Sequence, residues 1–282
     1  MIDEFEQSIT KKYRAKLWSR FVAAIKEYQL IQPNDHICVC ISGGKDSMLM
    51  ARLFMQLQKH SDFDFKVEYL VMNPGYNEIN LQTILNNLQK LSIPAKVVES
   101  NIFEIANSQD KSPCFLCAKM RRGALYNFAK QMGCNKIALG HHFDDVIETT
   151  LIGMFYASQL KAMIPKLHST NFEGMELIRP MYCIHEEDII AWMNYNGLEF
   201  IQCACRFTEN YTLNNNEGGI SKRQEIKMLI RQLKKDNPLI DKSIFNSIHA
   251  VSLDTMPGYK THGKTYSFLD NYYNNERSEE QL

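Results

Sequence analysis

Residues 37–47 have the sequence ICVCISGGKDS, which is the clearest indication of the fold. Its first five residues form a continuous apolar run rich in β-branched side chains, which is typical of a strand buried on both faces. Two adjacent glycines, Gly43 and Gly44, interrupt the run, and the apolar pattern of residues 48–57 predicts a helix behind them. The sequence therefore predicts a strand, a glycine loop and a helix in immediate succession.

Three further apolar runs extend this pattern along the chain. They occupy residues 69–72, 95–98 and 136–139, and helical patterns follow the first and the last of them. Alternation of strands and helices predicts βαβ units, so we expect an α/β fold with a doubly wound, Rossmann-like parallel sheet. Right-handed crossovers place the strand-to-helix loops at one edge of such a sheet. The loops 42–47 and 140–145 should therefore meet there.

The rest of the chain is predicted to be mainly helical. Apolar residues that recur every four positions predict an N-terminal helix within residues 1–32, ahead of an α/β domain at 33–205. Strands are predicted to stop near residue 200. Residues 206–266 are interpreted as a helical C-terminal region, and 267–282 as a polar, flexible tail.

Composition limits the class of protein. Of 282 residues, 45% are apolar and 23% charged, as in a globular protein. The 32 Lys and Arg balance the 32 Asp and Glu, so nucleic acid would have to bind to a local basic surface. The charged N-terminus lacks the apolar core of a signal peptide, and no run reaches the roughly 18 apolar residues of a membrane span. We therefore expect a cytoplasmic protein that has no membrane contact.

The glycine loop is suited to bind phosphate. Two glycines let backbone N–H groups approach an anion, and the helix N-terminus behind them favours negative charge. Lys45 adds a positive charge for phosphate oxygens, and Asp46 could coordinate Mg²⁺. The string SGGKDS matches the PP-loop of N-type ATP pyrophosphatases, whereas the alternative is an ordinary glycine turn. The predicted ATP contacts are Ser42, Gly43, Gly44, Lys45, Asp46, Ser47, Gly140 and His141.

Cysteines cluster at two places. Cys114 and Cys117 form a CxxC pair at a predicted helix start, where the positive helix end favours the thiolates that metals need. Cys203 and Cys205 form a second pair, so three or four thiolates could meet. Four would suit zinc, and three would leave an Fe–S cluster with an open iron; the alternative is that the CxxC cysteines are small core residues. The other cysteines are interpreted as core residues: Cys38, Cys40, Cys134 and Cys183.

Six landmarks follow one another along the chain: SGGKDS (42–47), PCFLCAKMRRG (113–123), KIALGHHFDD (136–145), MFYASQLKAMIPKL (154–167), IRPMYC (178–183) and FIQCAC (200–205). In this order they resemble those of the tRNA 2-thiocytidine synthetase family. The resemblance implies ATP, Mg²⁺ and a [4Fe-4S] cluster on Cys114, Cys117 and Cys203, with sulfur insertion at the C2 atom of an anticodon-loop cytidine. The family has a second CxxC where this chain has Cys203-Ala204-Cys205, so Cys205 stays open as a fourth ligand.

The resemblance also implies partners, and the positions of several charged residues suggest catalytic roles. The implied partners are tRNA, a sulfur donor such as a cysteine desulfurase, and a second copy of the chain in a homodimer. Besides Asp46, we expect Arg121 to stabilise charge on an adenylate or on the sulfur nucleophile, although it could be a solvated helix residue. Asp144 and Asp145 are predicted to bind Mg²⁺ or to act in acid–base chemistry, or merely to complement a helix dipole.

A cationic stripe is the predicted RNA contact. Its residues recur every four positions in the predicted helix 221–235: Arg223, Lys227, Arg231 and Lys235. Arg122 is predicted to contact RNA as well. A solvated charged face is the common alternative for such a pattern.

Three other functions stay open at this point. The enzyme could thiolate a uridine or another acceptor, or it could use Cys114 and Cys203 as persulfide and resolving thiols without a cluster. It could also be a metal-containing RNA-binding protein without catalysis, against which the intact Lys45 and Asp46 argue.

Overall fold

A sheet of six strands forms the centre of the molecule. The computed structural model describes residues 3–103, 113–201 and 221–272, with the backbone alone at 113–118 and 271. The strands are β1 (His36–Ile41), β2 (Lys66–Asn73), β3 (Ala95–Glu99), β4 (Lys136–Ala138), β5 (Lys166–His168) and β6 (Glu176–Ile178). Their order is β3-β2-β1-β4-β6-β5, and the neighbouring pairs are parallel except β5 with β6. The predicted doubly wound α/β fold is confirmed, with β5 as an antiparallel edge strand.

Helices flank this sheet. They are α1 (Glu4–Gln7), α2 (Ser19–Glu27), α3 (Lys45–His60), α4 (Glu78–Lys90), α5 (Pro113–Gln131), α6 (Phe143–Ala157) and α7 (Glu186–Tyr195). Two π-helical segments, Ser8–Lys12 and Arg14–Trp18, connect α1 to α2, so the predicted N-terminal helix is present with a local change of winding. No described helix has both the length and the hydropathy to cross a membrane.

Alternate side chains of β1 join different hydrophobic cores. Ile37 and its odd-numbered neighbours in the strand pack with one cluster, whereas Cys38 and Cys40 pack with Cys134 in the other. Since successive side chains of a strand point to opposite faces, β1 is buried on both faces, as its apolar run predicts. The prediction that these three cysteines are core residues is confirmed, and Cys183 is only partly buried.

The strand order creates a crevice between β1 and β4. The chain proceeds from β1 to β2 on one side, and β4 starts the other half of the sheet. Such a switch point leaves the loops after both strands on either side of an open crevice at the carboxyl ends. Residues 42–47 and 139–145 are these loops, so the expectation that the two loops meet is confirmed.

A second compact unit follows the first. The units are Met1–Leu229 and Ile230–Leu282, and the division falls within α8 (Lys222–Asp236). The second unit also contains α9 (Ile240–Ser247), β7 (Gly258–Thr261), β8 (Lys264–Ser267) and α10 (Leu269–Tyr272).

The C-terminal hairpin corrects one prediction. Strands do not stop near residue 200, because β7 and β8 pair in antiparallel register. His262 and Gly263 both have positive φ, the conformation that a tight two-residue hairpin turn needs. Tyr259 and Tyr266 stack across the pair with ring centroids 5.0 Å apart. Of the predicted tail 267–282, residues 269–272 form α10, and those beyond 272 lie outside the described residues.

Candidate functional site

The glycine loop after β1 is shaped by steric limits. Gly43 has a φ of +86°, and a Cβ atom there would lie 2.5 Å from Ile84 Cγ1 and 2.9 Å from Ile201 Cδ1. Only glycine avoids both the strain and the collision. Gly44 is the N-cap residue of α3 and has no side chain to cap the helix, so the first N–H groups of α3 remain open to an anion.

The Ser47 hydroxyl fixes the curvature of this loop. It donates to Gly44 O at 3.0 Å and accepts from Ser42 N at 3.1 Å and Ser42 Oγ at 3.2 Å. Tyr76 supports the same turn by donating its hydroxyl to Ser42 O at 3.3 Å. The two serines of SGGKDS therefore preorganise the loop before any ligand binds.

The loop after β4 lies directly against the glycine loop. A Cβ atom on Gly140 would lie 3.2 Å from Ser47 N and 3.3 Å from Asp46 C, so glycine permits the close approach. His142 is the N-cap residue of α6, and its backbone N–H donates to Asp145 Oδ2 at 3.1 Å. The Nε2 atom of the His142 side chain lies 3.8 Å from Asp46 Oδ1, so side chains of the two loops also approach each other.

A cavity of about 410 Å³ opens between the two loops. This volume lies in the range of small-molecule sites. Arg121 and Arg122 of α5 line it together with Cys40 of β1. The remaining lining residues come from the crevice and its rim: Ile41, Ser42, Asp46, Ser47, Met72, Leu125, Leu139, Gly140, His141 and Asp145. The fold thus brings predicted residues from three separate segments to one cavity.

Asp46 offers an oxygen without a hydrogen bond. Asp46 Oδ1 is buried and has no hydrogen-bond partner among the described residues. Lys45 Nζ lies 3.1 Å from this oxygen but donates its hydrogen bond to Asp46 Oδ2, at 3.2 Å. A buried carboxylate oxygen with a free lone pair suits a hard divalent cation such as Mg²⁺. Substrate phosphates and water usually supply the other ligands of such a cation.

Carboxylates and cations alternate in a charge series that runs from Lys45 of the glycine loop to Asp145. Glu186, at the start of α7, accepts from Lys45 at 3.0 Å and from Lys227 at 2.8 Å. Glu148 of α6 lies 3.7 Å from Lys227 Nζ and 3.3 Å from Arg223 Nη1. Arg223 closes the series by donating to Asp145 Oδ1 at 2.6 Å. Sequence patterns give no sign of Glu186 or Glu148, because both meet the loops only through tertiary packing.

Comparison with known proteins gives the family. A PP-loop domain family matches residues 14–215. A tRNA-cytidine(32) 2-sulfurtransferase of Photobacterium profundum is 36% identical over 248 residues, which cover 86% of this chain and 78% of the relative. Another, of Shewanella denitrificans, is 34% identical over 262 residues, or 89% and 77% of the two chains. The chain belongs to the tRNA-cytidine(32) 2-sulfurtransferase family. The resemblance expected from the six landmarks is confirmed, and the family is one of transferase enzymes.

A solved structure supports the fold of this 2-sulfurtransferase family member. The U34-tRNA thiolase NcsA from Methanococcus maripaludis, with its [4Fe-4S] cluster, superposes with a TM-score of 0.63. The alignment covers 82% of this chain and 76% of the thiolase, at 20% identity. At that identity the likeness shows a shared fold.

Asp144 and Asp145 differ in surroundings within this family member. Asp144 Oδ2 accepts from the backbone N–H of Glu186 at 2.7 Å, so it holds the start of α7 beside the crevice. Burial raises the pKa of Asp145, whereas His142 lowers it through its charge and its backbone N–H. The lowering effects outweigh burial, so the net shift is downward. Asp145 is therefore ionised and lines the cavity, whereas Asp144 is occupied by the backbone.

His141 adds a neutral group to the same cavity. Burial lowers its pKa to about 4, against the opposing effect of the Asp145 carboxylate. Its Nδ1 atom is buried without a hydrogen-bond partner among the described residues. The imidazole is thus uncharged at neutral pH and can hydrogen-bond to a ligand.

The predicted RNA contacts have different surroundings. Arg223 and Lys227 pair with the carboxylates of the charge series described above. Arg122 is exposed at the cavity rim, and Arg231 and Lys235 are exposed in the second unit.

The predicted cluster ligands are only partly described. The backbone of α5 begins at Pro113, so Cys114 and Cys117 occupy its first turns, as the sequence predicts. Cys203 and Cys205 lie outside the described residues. Among the residues that the structure does describe, no group of three or more His, Cys, Asp or Glu side chains is arranged to hold a metal ion.

Proposed function

We propose that this protein is an ATP-dependent tRNA sulfurtransferase that converts cytidine 32 of the anticodon loop to 2-thiocytidine. One observation carries the proposal: the SGGKDS loop, Arg121 and Asp145 meet around a single cavity at the switch point of the sheet. The named relatives support the choice of tRNA, of cytidine and of position 32.

The glycine loop fits the triphosphate of ATP. Its open N–H groups and Lys45 would bind phosphate oxygens, and a Cβ atom at position 43 would leave no room for this loop conformation. The free oxygen of Asp46 would hold Mg²⁺ against the same phosphates. Apolar side chains of the cavity lining, such as Ile41 and Met72, would cover part of the adenosine.

The proposed chemistry activates the C2 oxygen of cytosine, which is a poor leaving group. This oxygen attacks the α-phosphorus, an O–P bond forms, and the bond from the α-phosphorus to pyrophosphate breaks. Loop N–H groups, Lys45 and Arg121 stabilise the charge that develops on the phosphates. A sulfur nucleophile then adds at C2 and gives up its proton, the C2–O bond breaks, and AMP leaves.

Three cysteines would hold a [4Fe-4S] cluster. Cys114 and Cys117 lie at the start of α5, and Arg121 of the same helix lines the ATP cavity. Cys203 would be the third ligand. When bound, such a cluster supplies an open iron that can carry the sulfur atom. A cysteine desulfurase as sulfur donor and a homodimeric assembly belong to the same proposal.

Nucleoside mass spectrometry tests this function. Cluster-reconstituted protein is incubated without air with unmodified tRNA, Mg-ATP and sulfide, and the digested tRNA is examined for thionucleosides. We expect 2-thiocytidine from the wild type and none from Asp46→Ala or Cys203→Ala. Cys183→Ala serves as a matched control, because this partly buried cysteine lies outside the cavity lining.

Each other outcome points to a different function. Appearance of 2-thiouridine instead would move the site of thiolation to another base. Pyrophosphate release without any thionucleoside would support the proposed reaction with ATP but contradict sulfur transfer to tRNA.

A further inference from the structure

A second cavity adjoins the ATP cavity. Its volume is about 520 Å³, and it is lined by residues of α5, of β5 and β6, of the loop between these two strands, and by Arg179. Arg122 lines both cavities, so the two share a wall. A ligand in the second cavity would therefore lie next to a ligand in the first.

The second cavity is lined by cations without acidic side chains. Lys119, Arg122 and Arg179 contribute positive charge, and no Asp or Glu is among its described lining residues. Burial, and then the nearby Arg122, lower the pKa of Arg179 to about 10. Two guanidinium groups therefore face a common space where an anion would relieve their repulsion.

Arg179 has an unused hydrogen-bond donor. The residue is 8% exposed, and its Nε atom is buried without a partner in the described structure. One terminal nitrogen donates to Ile164 O, which fixes the position of the guanidinium group. A buried charged donor without an acceptor is costly, so the arrangement favours a ligand that brings an oxygen acceptor.

An aromatic pair forms another part of the wall. Tyr126 and Phe172 stack with centroids 4.9 Å apart and planes 13° apart. Tyr126 is buried, whereas Phe172 is partly exposed. Proteins that bind single-stranded RNA combine such an aromatic surface with cations that contact the backbone.

We propose that the second cavity binds one nucleotide of the RNA substrate, next to the nucleotide that reacts. Its phosphodiester group would lie against Lys119, Arg122 and Arg179, and its base against Phe172. The inference rests on the proposed function, because it takes tRNA as the substrate. It adds a second nucleotide subsite built from α5 and the β5–β6 loop.

Gly123 provides a way to block this cavity without disturbing the helix. It lies in α5 and lines the cavity, and a Cβ atom there would meet nothing within 4 Å. Gly123→Phe should therefore fill the cavity while α5 stays intact. Lys119→Ala removes one cation from the rim, and Lys130→Ala removes an exposed cation from the same helix outside the cavity.

The experiment measures the Kd of a fluorescent anticodon stem–loop RNA over a series of salt concentrations. We expect Gly123→Phe to weaken RNA binding about tenfold or more, through loss of base stacking and phosphate contact. Lys119→Ala should weaken it about three- to tenfold and reduce the salt slope by about one. Lys130→Ala should bind RNA within about twofold of wild type, since a distant surface charge contributes little. The Kd for ATP should stay the same in all three.

The results separate this subsite from the thiolation reaction. Weaker RNA binding in Gly123→Phe and Lys119→Ala supports the subsite even where no thionucleoside forms. Equal RNA binding by Gly123→Phe, Lys119→Ala and Lys130→Ala would overturn it, as would a parallel loss of ATP binding. Wild-type protein that binds no RNA would overturn it too.

Discussion

Glu186 holds the ammonium group of Lys45, with Lys45 Nζ 3.0 Å from Glu186 Oε1. Its other carboxylate oxygen accepts from Lys227 at 2.8 Å. Burial raises the pKa of Glu186, but Lys227 and Lys45 outweigh burial and lower it to about 2. The carboxylate is therefore ionised at neutral pH, and it competes with phosphate for the lysine of the glycine loop.

Removal of this carboxylate charge should strengthen ATP binding. In Glu186→Gln, Lys45 loses one of its two carboxylate partners and the loop becomes more positive by one charge. We expect the Kd for ATP to fall about fivefold, or about 1 kcal/mol, after allowance for solvent screening. Isothermal titration calorimetry measures this change, with uncharged adenosine as the control ligand. An equal gain for adenosine, or weaker ATP binding, would contradict the electrostatic explanation.

Gly43→Ala should destabilise the fold through crowding as well as backbone strain. The new Cβ atom would lie 2.5 Å from Ile84 Cγ1, at a φ of +86°. Gly174→Ala is the matched control, because Gly174 also has a positive φ, +76°, but a Cβ atom there meets nothing within 4 Å. We expect a loss of about 1–2 kcal/mol in the control and about 3 kcal/mol or more in Gly43→Ala. Urea unfolding measures both; equal losses would show that crowding is unimportant.

The sequence predicts the parts of the site that depend on local geometry. The glycine loop could be recognised because a buried strand, two glycines and a helix follow one another within a few residues. Its meeting with the loop 140–145 followed from the handedness of βαβ connections. The bridge between Lys45 and Glu186 could not be predicted, because 141 positions separate the two residues and no periodicity relates them.

Short elements escaped prediction for a related reason. β5 and β6 have three residues each, too few to show the alternation that identifies a strand. The hairpin of β7 and β8 is largely exposed, so its polar residues do not form an apolar pattern. The second cavity depends on β5, β6 and Arg179 together, and it was therefore invisible in the sequence.

Substitutions of two aspartates near the crevice should have different effects, one on metal binding and the other on the stability of the fold. Asp46 has a buried oxygen without a hydrogen bond, whereas Asp144 accepts from the backbone N–H of Glu186. We expect Asp46→Ala to abolish the increase in ATP affinity that Mg²⁺ produces. Asp144→Ala should keep that increase and lose about 1–2 kcal/mol of unfolding free energy, because a charge-assisted hydrogen bond is removed. Calorimetry with and without Mg²⁺, together with urea unfolding, distinguishes them. The opposite assignment of the two effects would refute the prediction.

Glu148 should make stability fall as pH rises through the weakly acidic range. Its side chain is 2% exposed, and burial raises its pKa from 4.5 to about 7 despite Lys227 and Arg223. Between these values the unfolded chain has lost the proton that the folded chain keeps, so the unfolding free energy decreases with pH. Glu148→Gln cannot ionise, and from pH 4.5 to 7.5 it should gain about 2–3 kcal/mol relative to wild type. Urea unfolding across this range measures the gain, and the exposed Glu187→Gln should show none. A difference that stays constant with pH would mean that Glu148 is already ionised in the folded protein at pH 5.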